Sequence, residues 1–299
     1  SPDRRGPQEV KVSSRRSRNQ FFRSASESEC AMQAAAQYQY ILYEVRPEDK
    51  VAIITFNRPE ARNAMSSGML LEFYDALKKA ADDPNVWVVI VTGAGDKAFC
   101  SGGDAKEFLA NVEAQRYSEI ERFNRLNLDV WRFMEKMRKP IIAAVNGYCN
   151  IETIQAVDIV IASEKAMFGL PEVTIGVCPG AGITVRLPKT LSKYWVKYLL
   201  FTGEWISAQE AYRLGLVNKV VPHEKLMEEA LALARKIAKN APLAVGAAKA
   251  CVNAGSEMPI DAGIEFQLRE SMAMFYTEDL KEGIRARLIE KREPVFKGK

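Results

Sequence analysis

The chain predicts an α/β fold followed by a helical C-terminal third, and three observations carry that expectation. Strand-like and helical stretches alternate between residues 40 and 165, the mark of βαβ crossovers. The runs at 86–91, 141–145 and 158–162 are apolar nearly throughout, as in strands buried on both faces of a parallel sheet. After about residue 190 no further strand is expected, and amphipathic helical sequence takes over.

Residues 41–45 and 51–56 flank a Pro47-Glu48-Asp49 turn and read as a β-hairpin. Met69, Leu70, Phe73 and Leu77 recur at helical spacing up to Asp82-Asp83-Pro84. The strand at 86–91 ends at Thr92-Gly93, and helical sequence begins near Ala105. A helix over 112–138 would present Ile120, Phe123, Val130, Met134 and Met137 on one face, as pocket wall or as core. The strand at 141–145 ends at Asn146-Gly147. Ser207 and Glu210 form a capping box that opens a helix ending at Gly215. Helices over about 224–239, 242–254 and 261–276 follow, with apolar faces that need a partner surface.

Composition narrows the chemistry. The 299 residues hold 42 Lys+Arg, 38 Asp+Glu, five Cys and a single histidine, His223. One histidine excludes a zinc HExxH site and a kinase HRD signature. Any Ser-His-Asp or Cys-His mechanism would have to run through His223 in a Val-Val-Pro-His-Glu loop context. Acid–base work therefore falls mainly to carboxylates, Lys, Tyr or Cys. The cysteines are odd in number and widely spaced without a CxxC, which suits a reducing compartment. No stretch reaches the roughly 20 apolar residues of a membrane span, so a soluble protein is expected. Residues 1–38 form a separate basic, Ser/Arg-rich tail, read as disordered, as a targeting remnant or as vector-encoded sequence ahead of Met32.

Two local features hold candidate chemistry. Phe99-Cys100-Ser101-Gly102-Gly103-Asp104 lies between a buried strand and a helix start, where backbone N–H groups can meet an anion or a developing oxyanion. A plain strand-to-helix turn is the other reading. Cys100 has no nearby base or cation to make a thiolate. Glu152 and Glu172 each sit among apolar residues, where burial would raise a carboxyl pKa toward useful acid–base range. Either could instead face water. Neither Gly93-Ala94-Gly95 nor Pro179-Gly180-Ala181-Gly182 completes a dinucleotide fingerprint, and no P-loop is present.

At this point the chain resembles the crotonase superfamily, and within it the enoyl-CoA hydratases. The resemblance is carried by residues 56–65, 98–104, 143–148, 168–172, 179–182, 202–217 and 290–292, and it spans residue 51 to the C-terminus. It implies the crotonase (ClpP-like) fold of stacked ββα units over 39–200 and a helical trimerisation region over 201–299. By that resemblance Gly103 is an oxyanion donor, Glu152 activates water and Glu172 delivers a proton to C2 of the enoyl thioester. Arg62, Ala64, Gly102, Asp104, Ala105, Lys106, Asn146, Gly147 and Pro171 are implied substrate contacts, and Lys291 and Arg292 are candidates for phosphate pairing. The implied partners are an acyl-CoA thioester and copies of the same chain, as a trimer or dimer of trimers. No metal or redox cofactor is implied, because coenzyme A is part of the substrate. A cytoplasmic location follows, or the mitochondrial matrix if the tail is a targeting remnant.

One departure stands out. The family pattern Gly-Tyr-x-x-Gly-Gly-Gly-x-Glu is here Gly147-Tyr148-Cys149-Asn150-Ile151-Glu152, three glycines short. Three residues span roughly 10 Å, so the loop must be rebuilt, and the second glycine's N–H is the other implied oxyanion donor. The backbone N–H of Asn150 or Ile151 could replace it. An active hydratase is the leading reading. An impaired or repurposed acyl-CoA binder, an isomerase or a hydrolase are the alternatives. RNA binding through the tail ranks last, since its excess charge is only +3 and no aromatic stacking platform accompanies it.

Overall fold

The computed structural model describes residues 38–299, and the expectations for the basic tail fall outside them. The described residues begin with the expected hairpin, β1 (Ile41–Arg46) antiparallel to β2 (Val51–Phe56). Helix α1 (Ser67–Asp82) follows, its N-terminus capped by the Ser66 hydroxyl, which accepts from Met69 N–H. Its buried face is Met69, Leu70, Phe73, Ala76, Leu77 and Ala80.

Strand pairs then alternate between two sheets. β3 (Val88–Gly93), β5 (Ile141–Val145) and β7 (Ile159–Ser163) join the hairpin in a six-stranded sheet. β4 (Ala98–Cys100), β6 (Tyr148–Asn150) and β8 (Met167–Gly169) form a second sheet in parallel register. Each long strand thus continues through a tight corner into a short one, which is the stacked ββα architecture that the resemblance implies. The corners explain two residue types. Asn146 Nδ2 donates to the carbonyls of Gly93 (2.9 Å) and Gly95 (2.7 Å), clasping adjacent corners together. At Gly147 a Cβ would lie 2.3 Å from the Lys97 carbonyl oxygen, so only glycine fits.

All six residues of β3 and all five of β5 are buried, as their unbroken apolar runs require. One face of the large sheet packs Ile53, Ile90 and Ile142 against Leu226, Ala230 and Ala234. Those last three lie on the helix Leu226–Ala238, α7 in chain order. On α1, Phe73 meets Phe56 edge-on at 5.1 Å, and Phe56 meets Phe99 at 5.5 Å.

The stretch at 112–138 departs from the sequence reading. It belongs to two helices, α2 (Ala105–Glu113) and α3 (Tyr117–Lys136), broken where Gln115 takes a left-handed φ of 54°. The expectation that strands end near residue 190 is also overturned. β9 (Trp205–Ser207) runs antiparallel to β8, and β10 (Lys219–Val221) extends the large sheet parallel to β7. Three residues are too few to show periodicity, so only their partners make them strands.

The helices after β8 are α4 (Ile183–Arg186), α5 (Lys193–Thr202), α6 (Ala208–Arg213), α7 (Leu226–Ala238), α8 (Pro242–Gly255), α9 (Ile260–Met274) and α10 (Glu278–Gly283). Half of the capping box forms. Ser207 Oγ accepts from Glu210 N–H at 3.2 Å, while the Glu210 carboxylate turns to Arg213 instead of reaching back. The last helical turns, Ile284–Glu290, are π-type and were not read from sequence. Among the described residues no helix is long and apolar enough to cross a membrane.

Candidate active site

The turn between β4 and α2 is held open by its neighbours. Met65 N–H donates to Gly102 O (2.8 Å) and Asp104 N–H donates to Met65 O (3.0 Å), leaving the Gly103 N–H between them with no acceptor among the described residues. Asp104 caps α2 through Lys106 N–H and Glu107 N–H and pairs with Arg58 at 2.8 Å. That guanidinium and the two N–H donors hold the Asp104 carboxyl below its usual range despite its partial burial. Gly102 has φ +108°, and a Cβ on it would fall 2.8 Å from Asn150 Nδ2. Gly102→Ala is therefore expected to destabilise the fold by about 1–3 kcal/mol and to lower turnover at least tenfold through displacement of Asn150, read by thermal denaturation and initial rates.

The shortened loop is rebuilt as a single 3-10 turn, Ile151–Ile154, immediately after β6. Asn150 is its N-cap, with Oδ1 accepting from Glu152 N–H at 2.9 Å. The Asn150 carbonyl accepts from the Thr153 hydroxyl at 2.7 Å. This turn carries Glu152 into a cavity of about 540 Å³.

A second 3-10 turn, Pro171–Ile175, carries Glu172 into the same cavity. Asn150 Nδ2 donates to Glu172 Oε1 at 2.6 Å, while Glu172 Oε2 is buried and meets no donor among the described residues. Glu152 Oε1 accepts from Ala181 N–H at 2.9 Å, and Ile183 N–H adds a weaker pull. Burial raises the Glu152 pKa from 4.5 to about 7 and the Glu172 charge adds to this, while those N–H groups and Arg186 oppose it. Glu152 is thus poised to exchange a proton near neutrality.

Phe108, Leu109 and Val112 of α2, with Ile120, Phe123, Asn127 and Trp131 of α3, line the apolar side of the cavity. The α3 face therefore divides: Ile120 and Phe123 reach the cavity, Val130 and Met134 lie in the core, and Trp131 touches both.

Of the sequence candidates, Gly102, Gly103, Ala105, Glu152 and Glu172 line the cavity. Arg62, Ala64, Asp104, Lys106, Asn146, Gly147 and Pro171 are not among its lining residues. Arg62 O accepts from Ser101 N–H and Ala64 O accepts from Arg58 Nη1, so both steady the loop beneath Gly103. Pro171 opens the turn that carries Glu172, and Lys106 is exposed. Arg292 pairs with Glu282 and Glu290, and Lys291 ends the last helical turn with φ 56°.

Cys100 is buried, with its thiol pushed up to about 12, which removes it as a nucleophile. His223 meets Ser163 Oγ at 3.0 Å and does not line the cavity. The residues that sequence reasoning missed include Met65, Thr153, Ile175 and the segment Val177, Cys178, Pro179, Gly180 and Ala181. The Pro-Gly-Ala-Gly run was the available signal: it fails as a phosphate loop, yet it supplies the N–H that grips Glu152.

Known proteins resemble this chain in sequence and in fold. The family model described as enoyl-CoA hydratase/isomerase matches residues 46–299. A crotonyl-CoA hydratase of Syntrophomonas wolfei is 41% identical over 262 residues, covering 87% of this chain and 98% of that protein. A mitochondrial enoyl-CoA hydratase of Pongo abelii is 40% identical over 268 residues, covering 88% and 90%. The crystal structure of a Bacillus anthracis enoyl-CoA hydratase superposes with a TM-score of 0.82 at 37% identity, over 87% of this chain and all of that one.

Proposed function

This chain belongs to the enoyl-CoA hydratase/isomerase family, and from that premise we propose that it is a hydro-lyase adding water to trans-2-enoyl-CoA thioesters, the hydration step of fatty-acid β-oxidation. The observation that carries the reading is the convergence of two glutamates and an unclaimed backbone N–H on one cavity.

Addition of water to C3 of a conjugated thioester drives negative charge onto the carbonyl oxygen. A fixed N–H at Gly103 stabilises that charge without reorganising, and removing one such donor typically costs about 3–4 kcal/mol. Glu152, with its pKa near 7, takes a proton from the attacking water. Glu172, oriented by Asn150, in its protonated form gives that proton to C2 on the same face, so the addition is syn, and the proton that Glu152 took from water then restores it. The product is a 3-hydroxyacyl-CoA. The two carboxyl groups and the oxyanion donors carry this chemistry, with coenzyme A arriving as part of the substrate.

An exposed apolar row on α9, Ile260, Ile264, Leu268, Met272 and then Phe275, supports a homotrimer or a dimer of trimers. Four unpaired cysteines among the described residues support a reducing compartment. The cytoplasm is the first choice. The Arg/Ser-rich tail and the mitochondrial relative support the matrix as the alternative.

The test is hydration of crotonyl-CoA, followed as loss of the conjugated-thioester absorbance. Turnover by the unsubstituted chain, abolished in Glu172→Gln, is the expected result. Absence of turnover across straight, branched and cyclic enoyl-CoA substrates would overturn the reading.

A further inference from the structure

A thioester oxygen that becomes an enolate oxygen has room for more than one donor, and the Gly103 N–H fills only one direction. The three glycines of the pattern that the sequence resembles are absent before Glu152, and Asn150 stands as the N-cap of the turn that carries Glu152. Its side chain is 3% exposed and lines the cavity. It also lies against the oxyanion turn, since a Cβ on Gly102 would come within 2.8 Å of its Nδ2.

The hydrogen-bond inventory of this amide is specific. Oδ1 accepts from Glu152 N–H, and one N–H of Nδ2 goes to Glu172 Oε1. The second N–H has no partner among the described residues. The amide cannot be turned over, because that would set an N–H against the Glu152 N–H, which can only donate. A buried donor held at both ends against Gly102, the residue before the Gly103 N–H, is what a preorganised oxyanion site needs.

We propose that the side-chain amide of Asn150, and not a backbone N–H, is the second hydrogen-bond donor to the thioester oxygen. The inference rests on the hydratase reading for its chemistry, while its central observable is binding. The same side chain then ties the donor site to both glutamates, so the loop rebuilt without three glycines keeps a complete site. This also accounts for glycine at position 102: any side chain there would push the amide away.

The test uses butyryl-CoA labelled with ¹³C at the thioester carbonyl, a saturated ligand that cannot be hydrated. Isotope-edited infrared spectra report how strongly its carbonyl is polarised. In the unsubstituted protein the stretch is expected well below its value in water. Asn150→Ser retains a helix-capping hydroxyl but removes both amide donors. It should move the stretch back toward the free value and lower kcat for crotonyl-CoA by about 10²–10³-fold with KM little changed. Glu172→Gln should lower kcat while leaving the stretch in place, which separates donation from positioning of the glutamates.

An unshifted stretch in Asn150→Ser overturns the proposal and assigns the second bond to backbone. Should Asn150→Ser and Asn150→Ala both fail to fold, the Asn150 side-chain ¹⁵N resonance of the intact protein, followed through butyryl-CoA addition, decides the question: a shift supports donation, none refutes it. An Asn150-dependent stretch without turnover of straight, branched or cyclic enoyl-CoA substrates would overturn the hydratase reading alone.

Discussion

Glu152→Gln is expected to abolish hydration and, at the same time, to stabilise the protein above pH 7. The turnover loss follows from removing the base, typically a 10²–10⁴-fold effect. The stability gain follows from the raised pKa. In the native state Glu152 holds its proton up to about pH 7, whereas in the unfolded chain it releases it near 4.5. Between those values the native state binds more protons, so stability falls as pH rises. The contribution is complete below about 4.5 and is lost as pH passes through 7, an interval worth about 3 kcal/mol. Glutamine keeps an oxygen for the Ala181 N–H and carries no charge to bury.

Its melting temperature should therefore exceed that of the parent at pH 8, and the difference should vanish toward pH 4.5. A variant less stable than the parent at pH 8 would show that the Glu152 carboxylate is well solvated in the folded protein. The rate profile checks the same group independently. For the unsubstituted enzyme, kcat/KM should fall about tenfold per pH unit below 7, as the base becomes protonated.

Lys249→Met is expected to be among the most destabilising single changes outside the active site, at about 3–5 kcal/mol. Lys249, on α8, is buried and reaches Asp158 Oδ2 at 2.7 Å. Asp158 also accepts from Ile141 N–H at 2.7 Å, at the start of β5, and Lys249 donates to the Lys139 carbonyl at 3.1 Å. The pair therefore ties α8 to the entry of a central strand. Burial pushes the Asp158 carboxyl up and the Lys249 amine down, and each partner's charge opposes the other's shift. Methionine fills the space but leaves Asp158 as an unpaired buried charge, so the melting temperature should drop by roughly 10 °C near neutral pH. The double variant Lys249→Met/Asp158→Asn should recover most of the loss, because no charge is then stranded. If the single variant melts within a degree of the parent, Asp158 is reaching water and the pair is not structural.

Much of the fold was legible in the residues. The hairpin, α1, the three buried strands and the helices from α7 to α9 all have enough length for periodicity to show. Both glutamates and the Gly102-Gly103 turn stood out because charge and glycine were unusual among their apolar neighbours. The short strands were not legible, because β4, β6, β8, β9 and β10 exist through pairing and carry only three residues each. The break at Gln115 was missed for a related reason: nothing in its side chain demands a left-handed backbone.

The sequence alone determined the α/β class and limited acid–base work mainly to carboxylates, Lys, Tyr or Cys, while the resemblance marked the two glutamates and the glycines missing before Glu152. Those depend on residue identity and local spacing, which the chain states directly. Only the tertiary structure decided that Glu152 and Glu172 share a cavity, that Ala181 N–H grips one of them, and that Asn150 joins both to the oxyanion turn. Such contacts span 20 to 30 residues of sequence, as Asn150 to Glu172 and Glu152 to Ala181 do. The stacking of the two sheets brings these residues together, and no local pattern encodes that.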